Sequence, residues 1–158
     1  MFKVNYCINK VIILLEGIEE YYLKKYITDG ESIYGYVTGI HLANRVNLML
    51  QVPYTIEVCT NNFDSEEFIH MEIQSLYLMK PTIEVTRDNY KMLQVLDMME
   101  DISYSRHSIE ETGKRIKRYL NGYTVKEDIL SETLIEYSQE TKDNLIATGL
   151  YEVLLEGK

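Results

Sequence analysis

The spacing of hydrophobic residues divides the chain into an N-terminal helix, a strand-rich middle and a helical C-terminal part. From about Lys10 to Ile27, apolar residues recur every three or four positions, which predicts an amphipathic helix. Short or alternating apolar runs follow from about residue 28 to 87 and predict strands. After Asp88 the period returns to about 3.6 residues, which predicts helices up to about residue 156.

One helix is expected among the strands, from about Gly39 to Leu50, because Pro53 biases the residue before it toward extended backbone. In the strand after it, alternation places Ile56, Val58 and Thr60 on one face. The predicted strands are Ile33–Thr38, Tyr54–Thr60, Phe68–Ile73, Leu76–Met79 and Thr82–Thr86.

Capping residues predict the helix boundaries in the C-terminal part. Ser108–Leu120 begins with a Ser-x-x-Glu capping box, and Asn121-Gly122 after it is a stop signal. Thr124–Glu127 repeats the box before the next apolar run. Asp88 is the expected N-cap of the first helix in this part, and Gly149 is a candidate break near the end of the chain.

These elements predict an α+β fold, with a small, mostly antiparallel sheet, one inserted helix and a C-terminal bundle of three or four helices. A chain of 158 residues is of ordinary size for one domain. We therefore expect residues 1–158 to form a single domain, with a sheet-rich layer at about 28–87 and a helical layer at about 88–156.

The composition is that of a globular protein with an acidic balance. Hydrophobic residues make up 46% and charged residues 26%, and the formal net charge is −9. This charge argues against broad, nonspecific binding of nucleic acid and against an acidic membrane surface as a partner. The 14 tyrosines predict many side chains at the core boundary or at an interface, although AT-rich genome bias is the favoured explanation of the surplus.

The chain carries no pattern typical of secretion. Cys7 and Cys59 form no disulfide framework, and Cys59 is expected to be a small core residue. The apolar run Val11–Leu15 is too short to span a bilayer and lacks the cleavage site of a signal peptide. A cytoplasmic protein is therefore predicted.

A basic segment stands out against this acidic background. Its cationic residues and one histidine are Arg106, His107, Lys114, Arg115, Lys117 and Arg118. On a helix that begins after Ser108, Lys114, Lys117 and Arg118 are neighbours three or four positions apart. They are candidates for binding phosphates or an acidic patch on a partner. The alternative is a solvated face whose cations pair with Glu110 and Glu111.

Catalytic patterns are weak, and neither a metal nor another cofactor is expected. The nearest approach to a metal nuclease is Asp64, Glu72 and Gln74, but Gln74 replaces the lysine that would stabilise the transition state. The three histidines, His41, His70 and His107, lack the spacing of metal ligands. The sequence therefore favours a protein that acts by binding and not by catalysis.

The segments Tyr34–Asn44, Leu48–Pro53 and Ile56–Asn62, together with Asn89–Asp97, carry a resemblance to a known family. They resemble the second domain of AbiEi-like antitoxins and transcriptional regulators from bacterial type IV toxin–antitoxin systems. This resemblance implies a non-enzymatic antitoxin whose partner is a nucleotidyltransferase-type toxin or another phage-defence protein. It also makes Gln51 a candidate for partner binding, beside the cations at 106–118. Tyr36 is a further candidate, as part of an interface cluster with Tyr34 and Tyr54, and packing on the sheet face is the favoured alternative for these tyrosines.

The same resemblance leaves other functions open. The family usually begins with a winged helix-turn-helix, whereas only about 18 residues precede the matched segment here. The DNA-recognition helix is therefore expected to be absent. A regulator that binds DNA as an oligomer or with a helper, and a mobile-element inhibitor of a defence system, remain alternatives.

Overall fold

Residues 18–71 and 74–156 are described by the computed structural model of the chain. In this part of the chain four strands form the sheet: β1 (Gly35–Thr38), β2 (Thr55–Thr60), β3 (Glu67–His70) and β4 (Ser75–Met79). The helices are α1 (Glu20–Tyr26), α2 (Gly39–Arg45), α3 (Tyr90–Glu100), α4 (Ile109–Leu120), α5 (Glu127–Leu134), α6 (Gln139–Ala147) and α7 (Leu150–Glu156), with a 3-10 turn at Ile102–Tyr104. The predicted start of the first helix and Cys7 lie outside the described residues.

The predicted α+β class is confirmed, with a small sheet before a series of C-terminal helices. The strand order is β1-β2-β4-β3, in which β1 and β2, and β3 and β4, are antiparallel neighbours. The central pair, β2 and β4, is parallel, so the sheet is mixed. This pairing arises because β3 lies at the sheet edge, and the chain then returns between β3 and β2 to form β4.

The predicted strand at Thr82–Thr86 is wrong, because this segment has no strand structure. The backbone of Val85 instead pairs with one side chain. Asn61 Nδ2 donates to the Val85 carbonyl at 2.8 Å, and Asn61 Oδ1 accepts from the Val85 N–H at 2.8 Å. The Asn61 amide thus takes the place of a neighbouring strand.

Helix α2 ends at Arg45, five positions before the predicted end near Leu50. Asn47 adopts the left-handed conformation with φ +62°, which terminates the helical path. Asn44 Nδ2 then donates to the carbonyls of Met49 and Leu50, at 3.2 Å each. Asn44 and Asn47 therefore determine where this helix ends, and Pro53 lies beyond that end.

Local capping predicted two of the later boundaries correctly. Ser108 Oγ accepts from the Glu111 N–H at 3.2 Å at the start of α4, and Asn121 ends that helix with φ +50°. The second predicted box is wrong, since α5 begins after Lys126. Asp88 is also not the N-cap of α3, because Asn89 holds that position.

The core is shared by the sheet and the C-terminal helices. Ile56, Val58 and Thr60, which alternation places on one face of β2, are all fully buried. The same buried cluster includes Leu96 of α3 and Leu145 of α6. Gly149, with φ +74°, separates α6 from α7 at the predicted break. Within residues 18–71 and 74–156, no helix combines the length and the apolar character that crossing a bilayer requires.

Candidate partner-binding surface

The basic residues of α4 lie on its outer side, because Thr112, Gly113, Ile116 and Leu120 occupy the buried side. Three of the four cations have acidic neighbours on the same helix. Lys114 Nζ lies 2.6 Å from Glu110 Oε1, and Arg115 Nε lies 2.8 Å from Glu111 Oε1. Arg118 Nη2 lies 3.5 Å from the same oxygen, Glu111 Oε1. The positive charge of α4 is therefore partly compensated, and these exposed pairs contribute little to stability.

Two of the predicted cations keep their charge uncompensated. Neither Lys117 nor Arg106 forms an ion pair in the described part of the chain, and both are exposed. From Arg106 to Arg118 the chain carries five Lys and Arg residues and two glutamates. This segment therefore has a local excess of positive charge in a protein whose net charge is −9.

The start of α4 packs beside the loop that follows α2. The Asn47 carbonyl accepts from Arg115 Nη1 at 3.2 Å, and His107 Nε2 lies 3.1 Å from the same oxygen. The Arg106 N–H donates to the Leu48 carbonyl at 3.1 Å. These bonds bring Arg106 and Arg115 next to the loop that contains Gln51, although they lie 55 and 64 positions after Gln51 in the sequence.

Apolar side chains project from this loop into solvent. Leu50 is 77% exposed, Val52 63% and Tyr54 65%, and Gln51 is exposed between them. The loop backbone is nevertheless anchored, because Gln74 Nε2 donates to the Pro53 carbonyl at 3.3 Å and the Ser75 N–H donates to the Tyr54 carbonyl at 3.2 Å. The loop thus presents apolar side chains from a fixed backbone.

These residues define the loop–helix surface, which consists of Leu50, Gln51, Val52, Tyr54 and Arg106. Clustered apolar side chains bordered by cations are typical of interaction sites on soluble proteins. The sequence indicated Gln51 and the cations, but it did not indicate that Leu50 and Val52 would be exposed.

Tyr36 is not part of this surface, so its assignment as a partner-binding residue is corrected. Its side chain is 3% exposed on β1, and its hydroxyl donates to Asp97 Oδ2 at 2.9 Å. β1 is an edge strand that α3 covers, so Tyr36 packs on the sheet face. Tyr36 therefore serves to join the sheet to α3.

Asp97 of α3 is the centre of a polar cluster that the sequence analysis missed. Its Oδ2 also accepts from Thr38 Oγ1 at 2.8 Å, and its Oδ1 accepts from the Tyr137 hydroxyl at 3.0 Å. Desolvation raises the pKa of the Asp97 carboxyl to about 6, against the opposing effect of the hydroxyl donors. The only sequence signal was an acidic residue inside the apolar run Met92–Met99.

Cys59 lies near the same carboxylate and is buried, as predicted for a core residue. Burial, and then the charge of Asp97, raise the pKa of its thiol to about 12. The thiol therefore stays protonated at neutral pH, which is the state of an unreactive structural cysteine.

The geometry adds nothing to the nuclease alternative. Asp64 is exposed in the loop after β2, Gln74 bonds the Pro53 carbonyl, and Glu72 lies outside the described residues. No group of three or more acidic, histidine or cysteine side chains in residues 18–71 and 74–156 is arranged to hold a metal ion.

Comparison of the chain with protein-family models, with curated proteins and with solved structures found no match. The resemblance to AbiEi-like regulators therefore stays a prediction.

Proposed function

We propose that this protein acts by binding a protein partner at the loop–helix surface, as an antitoxin or a regulator would, and without catalytic turnover. The observation that carries the proposal is the exposure of Leu50 and Val52, at 77% and 63%, on a loop whose backbone is anchored. Burying two such side chains provides a favourable contribution to association, of about 1.5–3 kcal/mol each when burial is complete. A fixed loop also loses little conformational entropy on binding.

The partner is expected to combine an apolar patch with carboxylates. Arg106 lies beside the exposed loop, and Lys117 adds a second cation without an ion pair in the described residues. Such charges raise the association rate and select acidic partners, more than they raise affinity. A nucleotidyltransferase-type toxin or a defence protein with an acidic surface is the partner that the family resemblance suggests.

The test is an affinity pull-down from the native lysate after nuclease treatment, with mass spectrometry of the retained proteins. The double variant Leu50→Ser/Val52→Ser is compared with Ile135→Ser/Ile146→Ser, whose side chains are 75% and 65% exposed on the C-terminal helices. We expect the first variant to retain at least about tenfold less partner than the wild-type protein, which corresponds to a loss of about 1.4 kcal/mol in binding free energy. The control variant should retain it.

Equal loss in both double variants would point to general stickiness of apolar side chains and would contradict the proposal. Retention of the partner by the Leu50→Ser/Val52→Ser variant would place the interface elsewhere.

Regulation through DNA is the second candidate, and it depends on the exposed cations of α4. Arg118 is 69% exposed, and Lys117 has no ion pair among the described residues. If these residues contact phosphates, Lys117→Ala and Arg118→Ala should each weaken DNA binding and reduce its salt dependence by about one counterion. Binding to DNA that neither substitution weakens would exclude this role for α4.

A further inference from the structure

One face of the sheet is covered at one end and open at the other. Thr38, Glu57, Tyr77 and Phe68 are register neighbours across β1, β2, β4 and β3, so their side chains project from the same face. At the β1 end, Thr38 is 5% exposed and its hydroxyl bonds Asp97 of α3. At the β3 end, Phe68 is 59% exposed. Helix α3 therefore covers only part of this face.

The open sheet face, defined by Glu57, Tyr77 and Phe68, presents an aromatic pair. The rings of Phe68 and Tyr77 stack with centroids 4.5 Å apart and planes inclined by 28°. Stacked rings at the sheet edge form a flat apolar surface whose faces attract cations.

Two carboxylates, those of Glu66 and Glu57, lie near this aromatic pair, and neither forms an ion pair with a cation among the described residues. Hydrogen bonding to Glu66, followed by partial burial and the charges of Glu66 and Glu57, raises the pKa of the Tyr77 hydroxyl. Glu57 Oε2 accepts from the Ile40 N–H at 3.2 Å. None of the ion pairs among the described residues involves Glu57, Glu66 or Glu67. The open sheet face is therefore negative as well as aromatic.

The strand at this end of the sheet also has a free edge. β3 is an outer strand, and no described strand pairs with its outer side. The outward backbone N–H and C=O groups of such an edge can pair with an added strand from another chain. Side chains of an added strand alternate between faces, so every second one would lie over the open sheet face beside Phe68.

We propose that an extended, lysine- or arginine-containing segment of a protein partner adds to the outer edge of β3 and places its cationic side chains on the open sheet face. The exposed aromatic pair supplies cation–π contacts, and Glu57 and Glu66, whose carboxylates lie near Tyr77, supply opposite charge. A second copy of this chain fits less well, because pairing two β3 strands would double the uncompensated glutamates along the joined edges.

The probe for this test is a fluorescein-labelled peptide of about ten residues in which lysine and valine alternate, with binding measured by fluorescence anisotropy. Two altered peptides separate the contributions. One carries glutamate at each lysine, and the other is N-methylated at alternate residues so that it cannot donate backbone hydrogen bonds to the edge. We expect each altered peptide to bind the wild-type protein at least about tenfold more weakly than the lysine peptide.

On the protein, Glu66→Lys and Phe68→Ser should each weaken binding of the lysine peptide by about tenfold. The matched control is Glu132→Lys, which makes the same change of net charge at an exposed glutamate outside the sheet. It should leave the dissociation constant within about twofold of wild type, because Glu132 belongs to α5 and not to the sheet or its edge.

The proposal is overturned if the lysine peptide does not bind, because the glutamates would then only protect the edge against pairing. It is also overturned if Glu132→Lys weakens binding as much as Glu66→Lys does, or if N-methylation of the peptide has no effect on binding. The result does not depend on the function proposed above, since Leu50→Ser/Val52→Ser is expected to leave peptide binding unchanged.

Discussion

The pH dependence of folding stability is predicted to depend on Asp97. Its carboxylate joins three parts of the fold, because it accepts from Tyr36 and Thr38 of β1 and from Tyr137 after α5. Two effects oppose each other at this site. Desolvation favours the neutral acid, whereas three hydroxyl donors favour the anion, and a pKa of about 6 means that desolvation prevails.

The sign of the effect follows from proton binding in the two states. Asp97 has an ordinary pKa of 3.8 and a pKa of about 6 in the folded protein, so between these values the folded state binds more protons than the unfolded state. Stability therefore falls as pH rises through this window. A shift of about two pKa units corresponds to about 3 kcal/mol lost at pH 7 relative to strongly acidic solution.

Asp97→Asn is the perturbation that isolates this term. An amide is neutral at every pH and resembles the protonated carboxyl in size and in hydrogen-bonding groups. We expect the variant to lie within about 1 kcal/mol of wild type at pH 4. From pH 4 to pH 7 the variant should gain about 2–3 kcal/mol relative to wild type, because it no longer buries a charge.

The assay is urea denaturation followed by far-UV circular dichroism at several pH values between 4 and 7. Partial desolvation also raises the pKa of the Glu100 carboxyl, but Glu100 is present in both proteins and its titration largely cancels in the difference. Tyr137→Phe is a second control. Removing one donor to the anion should cost about 1 kcal/mol more at pH 7 than at pH 4.

A stability difference between wild type and Asp97→Asn that stays constant from pH 4 to pH 7 would refute the reasoning. A difference that moves in favour of wild type as pH rises would show that the hydroxyl donors outweigh desolvation.

Two further substitutions test close backbone contacts. At Gly113 an added Cβ would lie 2.2 Å from the Thr148 carbonyl oxygen. Gly113→Ala should therefore destabilise the protein by about 2 kcal/mol or more, despite the better helix propensity of alanine. In the same urea titration, Lys114→Ala, at the exposed neighbouring position, should change stability by less than about 0.5 kcal/mol. Asn61→Ala removes both hydrogen bonds to the buried Val85 backbone and should cost about 2 kcal/mol, while Asn62→Ala, which removes one exposed bond, should cost less than about 1 kcal/mol. Equal effects of the two asparagine substitutions would contradict the role given to Asn61.

Elements whose ends are determined by neighbouring residues were predictable from the sequence. Ser108 caps α4 because its acceptor and the Glu111 N–H are three positions apart, a geometry that the sequence itself contains. The same motif at Thr124 does not begin a helix, because a contact with a residue distant in sequence prevents it. The Val125 N–H donates to the Leu154 carbonyl at 2.8 Å, so the chain is held against α7 and α5 begins two residues later than the motif indicates.

The loop–helix surface was only partly predictable, because it depends on contacts that are distant in sequence. The cations of α4 were evident from composition, and so was Gln51 as a loop residue. The position of Arg106 beside Leu48 was not, because it depends on a backbone hydrogen bond between residues 58 positions apart. The apolar pattern that includes Leu50 predicts a longer helix, with Leu50 on the same side as Ile40 and Ala43, and gives no sign that its side chain is exposed in a loop.

The abundance of tyrosine is explained by the core boundary and less by binding surfaces. Several hydroxyls donate across elements, and these donors are Tyr34, Tyr36, Tyr119, Tyr123 and Tyr137. Each hydroxyl satisfies its hydrogen bond on a residue outside its own element, as Tyr119 does on Gln94 of α3, and the side chains of Tyr36 and Tyr137 are buried. Tyrosines committed to such bonds are not available to a partner. Binding at the proposed surfaces must therefore depend on the apolar and aromatic side chains that remain exposed, above all Leu50, Val52 and Phe68.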